Sequence, residues 1–495
     1  MHMKPGKWGV GRYAIVMVCA AGMFLVAREA RARSNIFIGD LSVSYNFTER
    51  DYADGAVVAE NSGDRREYTV SPRLTWSSRG ETDLFELSYA PGFMYDDLGY
   101  TTRLDHSFIL RAEKQMSRRW SVSLDDTFFL GDDPVREEAL ATTEITAPDA
   151  TTVEPPPEDG APVATEDTFQ PVDERVGTRE YWRNTASLQT GYSYGQGRQF
   201  TTGYTLSMLR NNSDSQGGYT EYDRHEVMAR VGHRFDARWS TDVSGQYTVG
   251  LFKEPTDVTA TGTAELSNDL KEYSASARVG YQWSTHATVF LQDSSVRTDY
   301  DSDLRSDSWA HNVSLGVDYA FDRHLSMSVG GGVSLSRLDG QSWDTDYNFS
   351  ASLRRELLHA SWSVYLNNAY DVQNFDGQGS GLTRTWEVGG EYSHRFSENL
   401  SLSLSAAYSD ARRMQRTYED LLAAYEAGAA IAEDSDYHEK NYSAGVSLAY
   451  SFRRWYSLSL GYRYAKYETD LADTPDYDEH RVFVQLTASK DFFRW

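Results

Sequence analysis

The sequence predicts an all-β protein, a single transmembrane antiparallel up-and-down β-barrel of about 20 strands, or about 18. Apolar and polar residues alternate in long segments, as in Leu400-Ser401-Leu402-Ser403-Leu404, and a period of two indicates a strand with one apolar and one polar face. After the N-terminal region no apolar run is long enough for a membrane helix. Short turns alternate with long loops, as in barrels of outer membranes.

Composition excludes several classes of protein. The chain has 495 residues, with 73 Asp and Glu against 48 Lys and Arg, and a formal charge of -25. Because so acidic a chain repels phosphate, we expect no nucleic-acid partner. The mean hydropathy of -0.59 excludes a helical membrane bundle. The 13% of aromatic residues argue against wholesale disorder.

The first 32 residues have the pattern of a secretory signal peptide. Lys4, Lys7 and Arg12 form a basic start, residues 13–26 are apolar, and Ala30-Arg31-Ala32 supplies the small residues of a cleavage site. The apolar run is short for a bilayer span, which disfavours an uncleaved anchor. We therefore predict a signal peptide over 1–32 and one barrel domain over 33–495, in the outer membrane of a Gram-negative bacterium.

Twenty alternating segments, mostly 9–14 residues long, fill the predicted mature chain. This length suits a tilted strand that crosses a bilayer. Short turns such as Asp236-Ala237-Arg238 are expected in the periplasm, and long loops such as 48–66 outside the cell. Aromatic residues beside the turns, for example Phe235 and Trp239, predict an interfacial girdle. A soluble β-propeller is the alternative, but each of its blades needs four short strands.

The polar face of these segments predicts a water-filled lumen. Ser, Thr, Gly, Asn and Gln dominate it. About 20 strands tilted by ~40° give a backbone diameter of roughly 40 Å and a lumen roughly 25 Å wide. Charged residues of both signs occupy the same face, and ten of them are predicted to line the lumen: Asp40, Arg73, Glu86, Arg111, Asp125, Arg230, Arg278, Asp318, Glu387 and Arg463.

Two segments between strands could enter the lumen. Residues 131–179 are acidic and contain the run Pro155-Pro156-Pro157, which predicts a solvated external loop, with a charged constriction inside the lumen as the alternative. Within residues 409–440, apolar positions between Tyr418 and Tyr425 have helical spacing. They predict a short amphipathic helix that packs on the rim or narrows the pore.

Motifs for catalysis are missing from the sequence. It contains no G-x-S-x-G, Walker loop, H-E-x-x-H or C-x-x-C. Asp299, Asp301 and Asp303 have calcium-loop spacing, but Leu304 stands where that loop needs glycine. The single cysteine, Cys19, lies in the predicted signal peptide, so no thiolate ligand is expected. We predict no enzyme, no catalytic residue, no cofactor and no metal site.

Charge is sorted between the two predicted sides. Residues 468–479 hold six acidic and no basic residues, whereas short turns carry pairs such as Arg118-Arg119 and Arg453-Arg454. External acids can be bridged to lipopolysaccharide by divalent cations, and turn arginines can meet anionic lipid of the inner leaflet. Outer-membrane lipid and lipopolysaccharide are therefore expected partners.

Several stretches carry a family resemblance. They are Arg179-Glu180-Tyr181-Trp182-Arg183-Asn184, Asp132-Asp133-Pro134, and the hairpins 233–239 and 394–400. These resemble outer-membrane β-barrel porins of the BBP2 type, and the resemblance implies a link to exopolysaccharide export. The terminal Trp495 after an alternating strand resembles the C-terminal recognition signal of such barrels, which implies the barrel-assembly machinery as a partner.

Three functions remain open. The first is a passive outer-membrane channel, the exit port for a secreted polysaccharide, because a hydrated polymer needs width and weak contacts. Such a port needs a periplasmic polysaccharide-export protein to deliver the polymer, and acidic loops fit a neutral or cationic polymer better than a polyuronate. The second is a general diffusion porin for small solutes, which an inward-folded 131–179 would favour. The third is a non-conducting structural or adhesion barrel.

Overall fold

A computed structural model describes residues 33–52, 64–97, 101–131, 181–211, 221–253, 269–301, 305–374, 381–414, 437–470 and 476–495. These residues form twenty β-strands and no helix. In chain order the strands are β1 Ser34–Tyr52, β2 Arg65–Arg79, β3 Asp83–Asp96, β4 Thr101–Ser117, β5 Trp120–Gly131, β6 Tyr181–Gly195, β7 Arg198–Asn211, β8 Tyr222–Arg234, β9 Trp239–Phe252, β10 Leu270–Gln282, β11 Ala287–Tyr300, β12 Ser308–Ala320, β13 Leu325–Leu338, β14 Asp344–Glu356, β15 Ala360–Gln373, β16 Gly381–Ser397, β17 Leu400–Arg413, β18 Tyr437–Phe452, β19 Tyr456–Thr469 and β20 Tyr477–Arg494.

The sheet closes on itself. Each strand pairs antiparallel with its neighbours in sequence, and β1 pairs with β20 from Ile36 opposite Arg494 to Tyr52 opposite Tyr477. Closure leaves no edge strand with unpaired backbone N–H and C=O groups, which is the condition for a sheet surrounded by hydrocarbon. The predicted all-β, up-and-down barrel of 20 strands is confirmed.

A bulge completes the seam between β1 and β20. The register shifts between Phe37 and Ile38, so that Phe37 lies opposite Phe493 and Ile38 opposite Asp491. The extra residue, Phe492, turns to the outer face together with Phe493, and both rings pack near Phe37 at 6.3 and 6.5 Å between centroids. The break in alternation at the end of the sequence is therefore accommodated within the strand.

The two faces of the wall differ as the alternation requires. Apolar side chains such as Leu41, Val313 and Leu460 are exposed on one face. The other face is polar, and it is the inner one, because hydrogen bonds between strands that are not neighbours start from it, such as the bond from Asn374 to Glu272. An outer surface this apolar on a closed barrel fits a lipid environment.

Connections differ between the two ends of the barrel. Nine turns of two to four residues join β2 to β3, β4 to β5 and each later even-numbered strand to the next, up to β18 and β19. The start of β1 and the end of β20 lie on the same side. We call it the turn end and the opposite side the loop end. Two loop-end connections, 97–100 and 339–343, are short as well. They are short because β4, β13 and β14 extend further than their alternation suggests, and the other loop-end connections are longer.

Several predicted segments lie outside the described residues. They are the signal peptide 1–32, the acidic loop 132–180 and residues 415–436, which include the predicted helix. These predictions stay predictions. The predicted loop bounds need correction, since residue 131 ends β5, residues 409–413 belong to β17, and residues 437–440 belong to β18.

Aspartates hold two of the short turns closed. Asp236 Oδ1 accepts hydrogen bonds from the backbone N–H of Arg238 at 2.6 Å and of Trp239 at 2.8 Å. These backbone donors favour the charged carboxylate, and they hold the pKa of Asp236 below its ordinary value. Asp322 makes the same arrangement in the β12–β13 turn, and its pKa is lowered for the same reason.

We predict that Asp236→Ala lowers the melting temperature of the barrel in detergent at pH 7. The lowered pKa of Asp236 means that its carboxylate stabilises the turn above the unfolded-state pKa and loses this effect as pH falls through the folded-state pKa. The difference in melting temperature between variant and wild type should therefore shrink on acidification. Thermal melts followed by circular dichroism at a series of pH values measure it.

The matched control is Glu398→Ala. Glu398 lies in the β16–β17 turn, and among the described residues it has no hydrogen-bond or ion-pair partner. The melting temperature of the Glu398→Ala variant should equal that of the wild type at every pH. A deficit for Asp236→Ala that is equal at neutral and acid pH would contradict the role of the charged carboxylate.

Candidate functional site

All ten charged residues predicted to line the lumen lie on the inner face. Each is next in sequence to a residue that faces outward, and successive side chains of a strand point to opposite faces. They are Asp40 in β1, Arg73 in β2, Glu86 in β3, Arg111 in β4, Asp125 in β5, Arg230 in β8, Arg278 in β10, Asp318 in β12, Glu387 in β16 and Arg463 in β19. The register of the strands decides which of them come together. That they border the path of a solute stays a prediction.

A row of alternating charge crosses β8 to β12 near the turn end. Arg230 Nε donates to both carboxylate oxygens of Asp242, each at 3.0 Å. Asp242 lies directly opposite Arg278 in the register of β9 and β10, and Arg278 Nη2 donates to Asp318 Oδ2 at 2.5 Å. The sequence prediction omits Asp242. The alternation of β9 could have identified it, because Trp239 and Val243 face outward and Asp242 therefore faces inward.

A second row crosses β3 to β5. Glu86 lies opposite Arg111, and Arg111 lies opposite Asp125. Arg111 Nε donates to Asp125 Oδ1 at 3.0 Å, and the two side chains are 51% and 49% exposed. A pair this exposed contributes only ~0–1 kcal/mol to stability. Its main consequence is that the field of each charge is compensated locally.

The remaining predicted residues have other neighbours. Asp40 lies opposite Arg73 in the register of β1 and β2. Glu387 accepts a hydrogen bond from Tyr365 Oη at 2.9 Å. Arg463 lies opposite Arg481 of β20, so this part of the wall carries two arginines side by side.

Ion pairs at the loop end are much less exposed. Arg103 contacts Asp96 at 3.4 Å, and Arg413 contacts Glu439 at 2.5 Å. None of these four side chains is more than 13% exposed. Removing one partner of such a pair leaves a charge poorly solvated, which costs ~3–5 kcal/mol. The pairs thus fix the ends of β3, β4, β17 and β18.

Three inner aromatic rings lie flat over glycines of the adjacent strand. A Cβ atom added at these glycines would meet ring atoms at 2.0–2.5 Å, and the pairs are Phe290 over Gly316, Tyr365 over Gly389 and Phe483 over Gly461. Phe290 is also covered by the Arg278 guanidinium, whose Cζ lies 3.8 Å from the ring centroid. The glycines keep these rings against the wall, so the rings do not project into the lumen.

The pairing between β14 and β15 is incomplete. It runs from Phe349 opposite Asn368 to Glu356 opposite Ser361, so residues 344–348 of β14 have no partner in β15. Beyond Asn368, β15 turns into the barrel together with the end of β16, to which it stays paired, and residues 383–386 of β16 stay paired in turn with residues 410–413 of β17. We call residues 369–374 and 381–386 the inner flap.

The inner flap packs on the inner face of β12 and β13. Tyr370 and Leu382 of the flap form a buried cluster with Ala310 of β12 and Leu338 of β13. Leu382 and Ala310 are fully buried. Because β12 and β15 are not adjacent in the sheet, this contact crosses the inside of the barrel, and β13 and β14 lie behind the flap.

Asparagine side chains replace the missing backbone pairing. Asn312 Nδ2 donates to the carbonyl of Tyr370 at 2.9 Å, and its Oδ1 accepts from the N–H of Tyr370 at 3.3 Å. Asn368 Nδ2 donates to the carbonyl of Tyr347, on the free part of β14, at 3.0 Å. A buried polar group without a partner costs ~1–3 kcal/mol. These amides therefore stabilise the separated strands.

The tip of the inner flap is held by Asn374. Its Nδ2 donates to Glu272 Oε2 at 2.9 Å and to Thr298 Oγ1 at 3.3 Å, and its Oδ1 accepts from Tyr300 Oη at 2.5 Å. These three partners come from the inner faces of β10 and β11. The sequence prediction missed the whole arrangement.

Within the described ranges, no group of three or more His, Cys, Asp and Glu side chains could hold a metal ion. No helix in this part of the chain is long and apolar enough to cross a membrane.

Comparison with known proteins gives one family and several distant structural likenesses. Residues 209–490, from the end of β7 to β20, match the family described as "Putative beta-barrel porin 2". No curated protein matches the sequence. Similar solved structures are the siderophore receptor PirA from Pseudomonas aeruginosa, 10% identical with a TM-score of 0.48 over 92% of this chain and 80% of that one, and Pseudomonas aeruginosa OpdO, 12% identical with a TM-score of 0.42 over 92% and 98%. A third is Pseudomonas aeruginosa OccK2 (OpdF) in complex with glucuronate, 10% identical with a TM-score of 0.43 over 92% and 98%.

We predict that Gly316→Ala destabilises the barrel by ~1–3 kcal/mol through overpacking. The added Cβ would lie 2.3 Å from Phe290 Cζ and 2.5 Å from the carbonyl oxygen of Val329. The backbone contact cannot relax by a simple rotation of the ring. Urea unfolding in detergent, followed by tryptophan fluorescence, measures the loss.

Gly331→Ala on the neighbouring strand is the matched control. Its added Cβ would meet Phe349 Cδ2 at 3.6 Å, an ordinary contact. Its unfolding midpoint should therefore stay within error of the wild type. Equal effects of the two substitutions would show that the covering of Gly316 by Phe290 does not restrict this position.

Proposed function

Since this chain belongs to the family described as "Putative beta-barrel porin 2", we propose that it is a passive channel of the outer membrane and the exit port for a secreted polysaccharide. The polymer would be neutral or cationic, because the chain carries a formal charge of -25 and would repel a polyuronate. The membrane would be the outer membrane of a Gram-negative bacterium, with the turn end in the periplasm and the loop end outside.

The character of the inner face is the observation that supports this proposal. Small polar side chains dominate it, charges of opposite sign are paired along the wall, and aromatic rings lie flat. A hydrated polymer in such a lumen meets many weak hydrogen-bonding partners and no strong field of a single sign. Weak contacts suit a moving chain, since conduction requires binding that is loose enough to be left again.

A passive port needs a partner that brings the polymer to it. We propose a periplasmic polysaccharide-export protein at the turn end, where Arg118, Arg119, Arg453 and Arg454 offer exposed positive charge. Lipopolysaccharide would surround the loop end. The barrel itself supplies only the path across the membrane.

A general diffusion porin for small solutes is the second candidate function. The inner flap favours it, because a second layer of sheet inside the loop end narrows the lumen. A narrow aperture would admit small molecules and exclude a thick polymer.

Deletion of the gene is expected to remove polysaccharide from the cell surface while its synthesis continues. Sugar analysis of the surface fraction and of the cell lysate measures both quantities. Complementation with the intact gene should restore export, and complementation with Gly331→Ala should do so equally. Unchanged surface polysaccharide in the deletion strain would contradict the export role and leave the diffusion porin.

The double variant Asp242→Asn, Asp318→Asn is expected to shift ion selectivity towards anions. It leaves the positive charges of Arg230 and Arg278 without their carboxylate partners, and rings of charge determine which ions enter a pore. The ratio of chloride to potassium permeability should rise about twofold. Reversal potentials across planar bilayers in a potassium chloride gradient measure it.

Asp293→Asn is the control for this change. Asp293 lies on the outer face of β11, opposite Ala277 and Val313, so its charge does not face the lumen. The reversal potential of the Asp293→Asn variant should equal that of the wild type. A wild-type potential for the double variant would mean that ions do not pass along the row of charge on β8 to β12.

A further inference from the structure

We propose that the inner flap is a movable constriction that determines which solutes pass the loop end. In one position it lies on β12 and β13, as the structure shows. In the other position it pairs with the free part of β14 and leaves the lumen, together with the end of β17, to which residues 383–386 are paired. The inference rests on the proposed channel function, which supplies the solute that the constriction selects.

The inner position reduces the aperture at the loop end. Two of the twenty strands, β13 and β14, lie behind the flap and no longer border the lumen. Because barrel diameter grows about linearly with strand number, this removes ~10% of it. The flap adds a second layer of sheet, and packed sheets are ~10 Å apart. Turn end and loop end therefore differ in width, and the flap accounts for the difference.

The free part of β14 offers the flap a second place to bind. The existing register ends with Phe349 opposite Asn368. Continued by two residues, it would place Tyr347 opposite Tyr370 in an aromatic cross-strand pair. No residue would be inserted or skipped, and backbone hydrogen bonds would replace the side-chain amide bonds to Tyr370 and Tyr347.

Side-chain direction agrees with this second position. Tyr347 is 57% exposed on the outer face. In the continued register Tyr370 and Val372 would point the same way, and so would Leu382, in line with Val364 and Val388, which are exposed on the outer face of β15 and β16. The apolar row of the flap thus has two suitable surroundings, the cluster on β12 and β13 and the lipid outside.

Polar contacts hold the inner position in addition to the apolar cluster with Ala310 and Leu338. Asn312 and Asn374 bind the flap by hydrogen bonds, and Arg384 forms an ion pair with Asp346 of β14. The wall behind it is polar as well: Ser334 and Thr298 are buried there. Water in the lumen would solvate these groups if the flap left, and a net hydrogen bond is worth only ~1 kcal/mol. These polar contacts therefore add little to the preference for the inner position, which the buried apolar cluster of Tyr370, Leu382, Ala310 and Leu338 favours.

Two cysteine pairs report the two positions in the full chain. Thr298→Cys with Asn374→Cys bridges the inner position, because Asn374 Nδ2 lies 3.3 Å from Thr298 Oγ1. Tyr347→Cys with Tyr370→Cys bridges the outer position. The native chain has a single cysteine, Cys19, which is replaced by serine. A short bis-methanethiosulfonate reagent forms the bridges, a gel shift measures their yield, and a reductant reverses them.

The inner pair is expected to cross-link in most molecules, and the outer pair in a minority. Reduction of the inner bridge in a planar bilayer should add brief openings of the same channels to a conductance about twofold higher, because the released flap occupies the outer position only part of the time. Asn312→Leu removes both hydrogen bonds to Tyr370, so it should increase cross-linking of the outer pair. Asn46→Leu, on the inner face of β1 far from the flap, should not change either yield.

Three results would overturn the inference. The outer pair could fail to cross-link in the wild-type background and with Asn312→Leu, which means that the second position does not form. Conductance could stay equal before and after reduction of the inner bridge, which means that the flap does not set the aperture while the channel function stands. Absence of current in both states would reject the channel itself, whereas the cross-linking yields would still report whether the flap moves.

Discussion

Backbone hydrogen bonding in an apolar surrounding is the constraint on which the rest of this structure depends. Hydrocarbon offers no partner for an N–H or C=O group, so a sheet that crosses it must have no free edge. The pairing of β1 with β20 meets this condition, and the bulge at Phe37 allows the two strands to close although their alternation does not match at the end. Closure in turn separates an outer face for lipid from an inner face for water.

The break between β14 and β15 is the place where that constraint is met in another way. Residues 344–348 leave the ladder, and side-chain amides take over: Asn312 bonds both backbone groups of Tyr370, and Asn368 bonds the carbonyl of Tyr347. An amide side chain carries the same donor and acceptor as a peptide group. The end of a strand can therefore lie inside the barrel without unsatisfied groups, and the lumen acquires a constriction made of its own wall.

The sequence predicts most of the fold and less of the site, for a physical reason. Alternation with a period of two directly encodes two faces, which is why the twenty strands and the inner position of residues such as Arg278 and Asp318 can be read from it. Partners depend on register, which a single strand does not carry, so Asp242 was missed. The inner flap was missed because Tyr370 and Val372 alternate in the same way whether they face lipid or the inner side of β12.

The same inner face connects structure to function. Paired charges, small polar side chains and rings held flat over glycines offer a solute many weak contacts. The inner flap narrows the lumen at the loop end.

The most direct measurement is single-channel recording of the full chain in planar bilayers with neutral oligosaccharides of increasing length, compared with oligouronates of equal length. We predict a steady current with brief blockades by neutral chains and fewer by uronates. Absence of current, or more frequent blockades by uronates, would contradict the account.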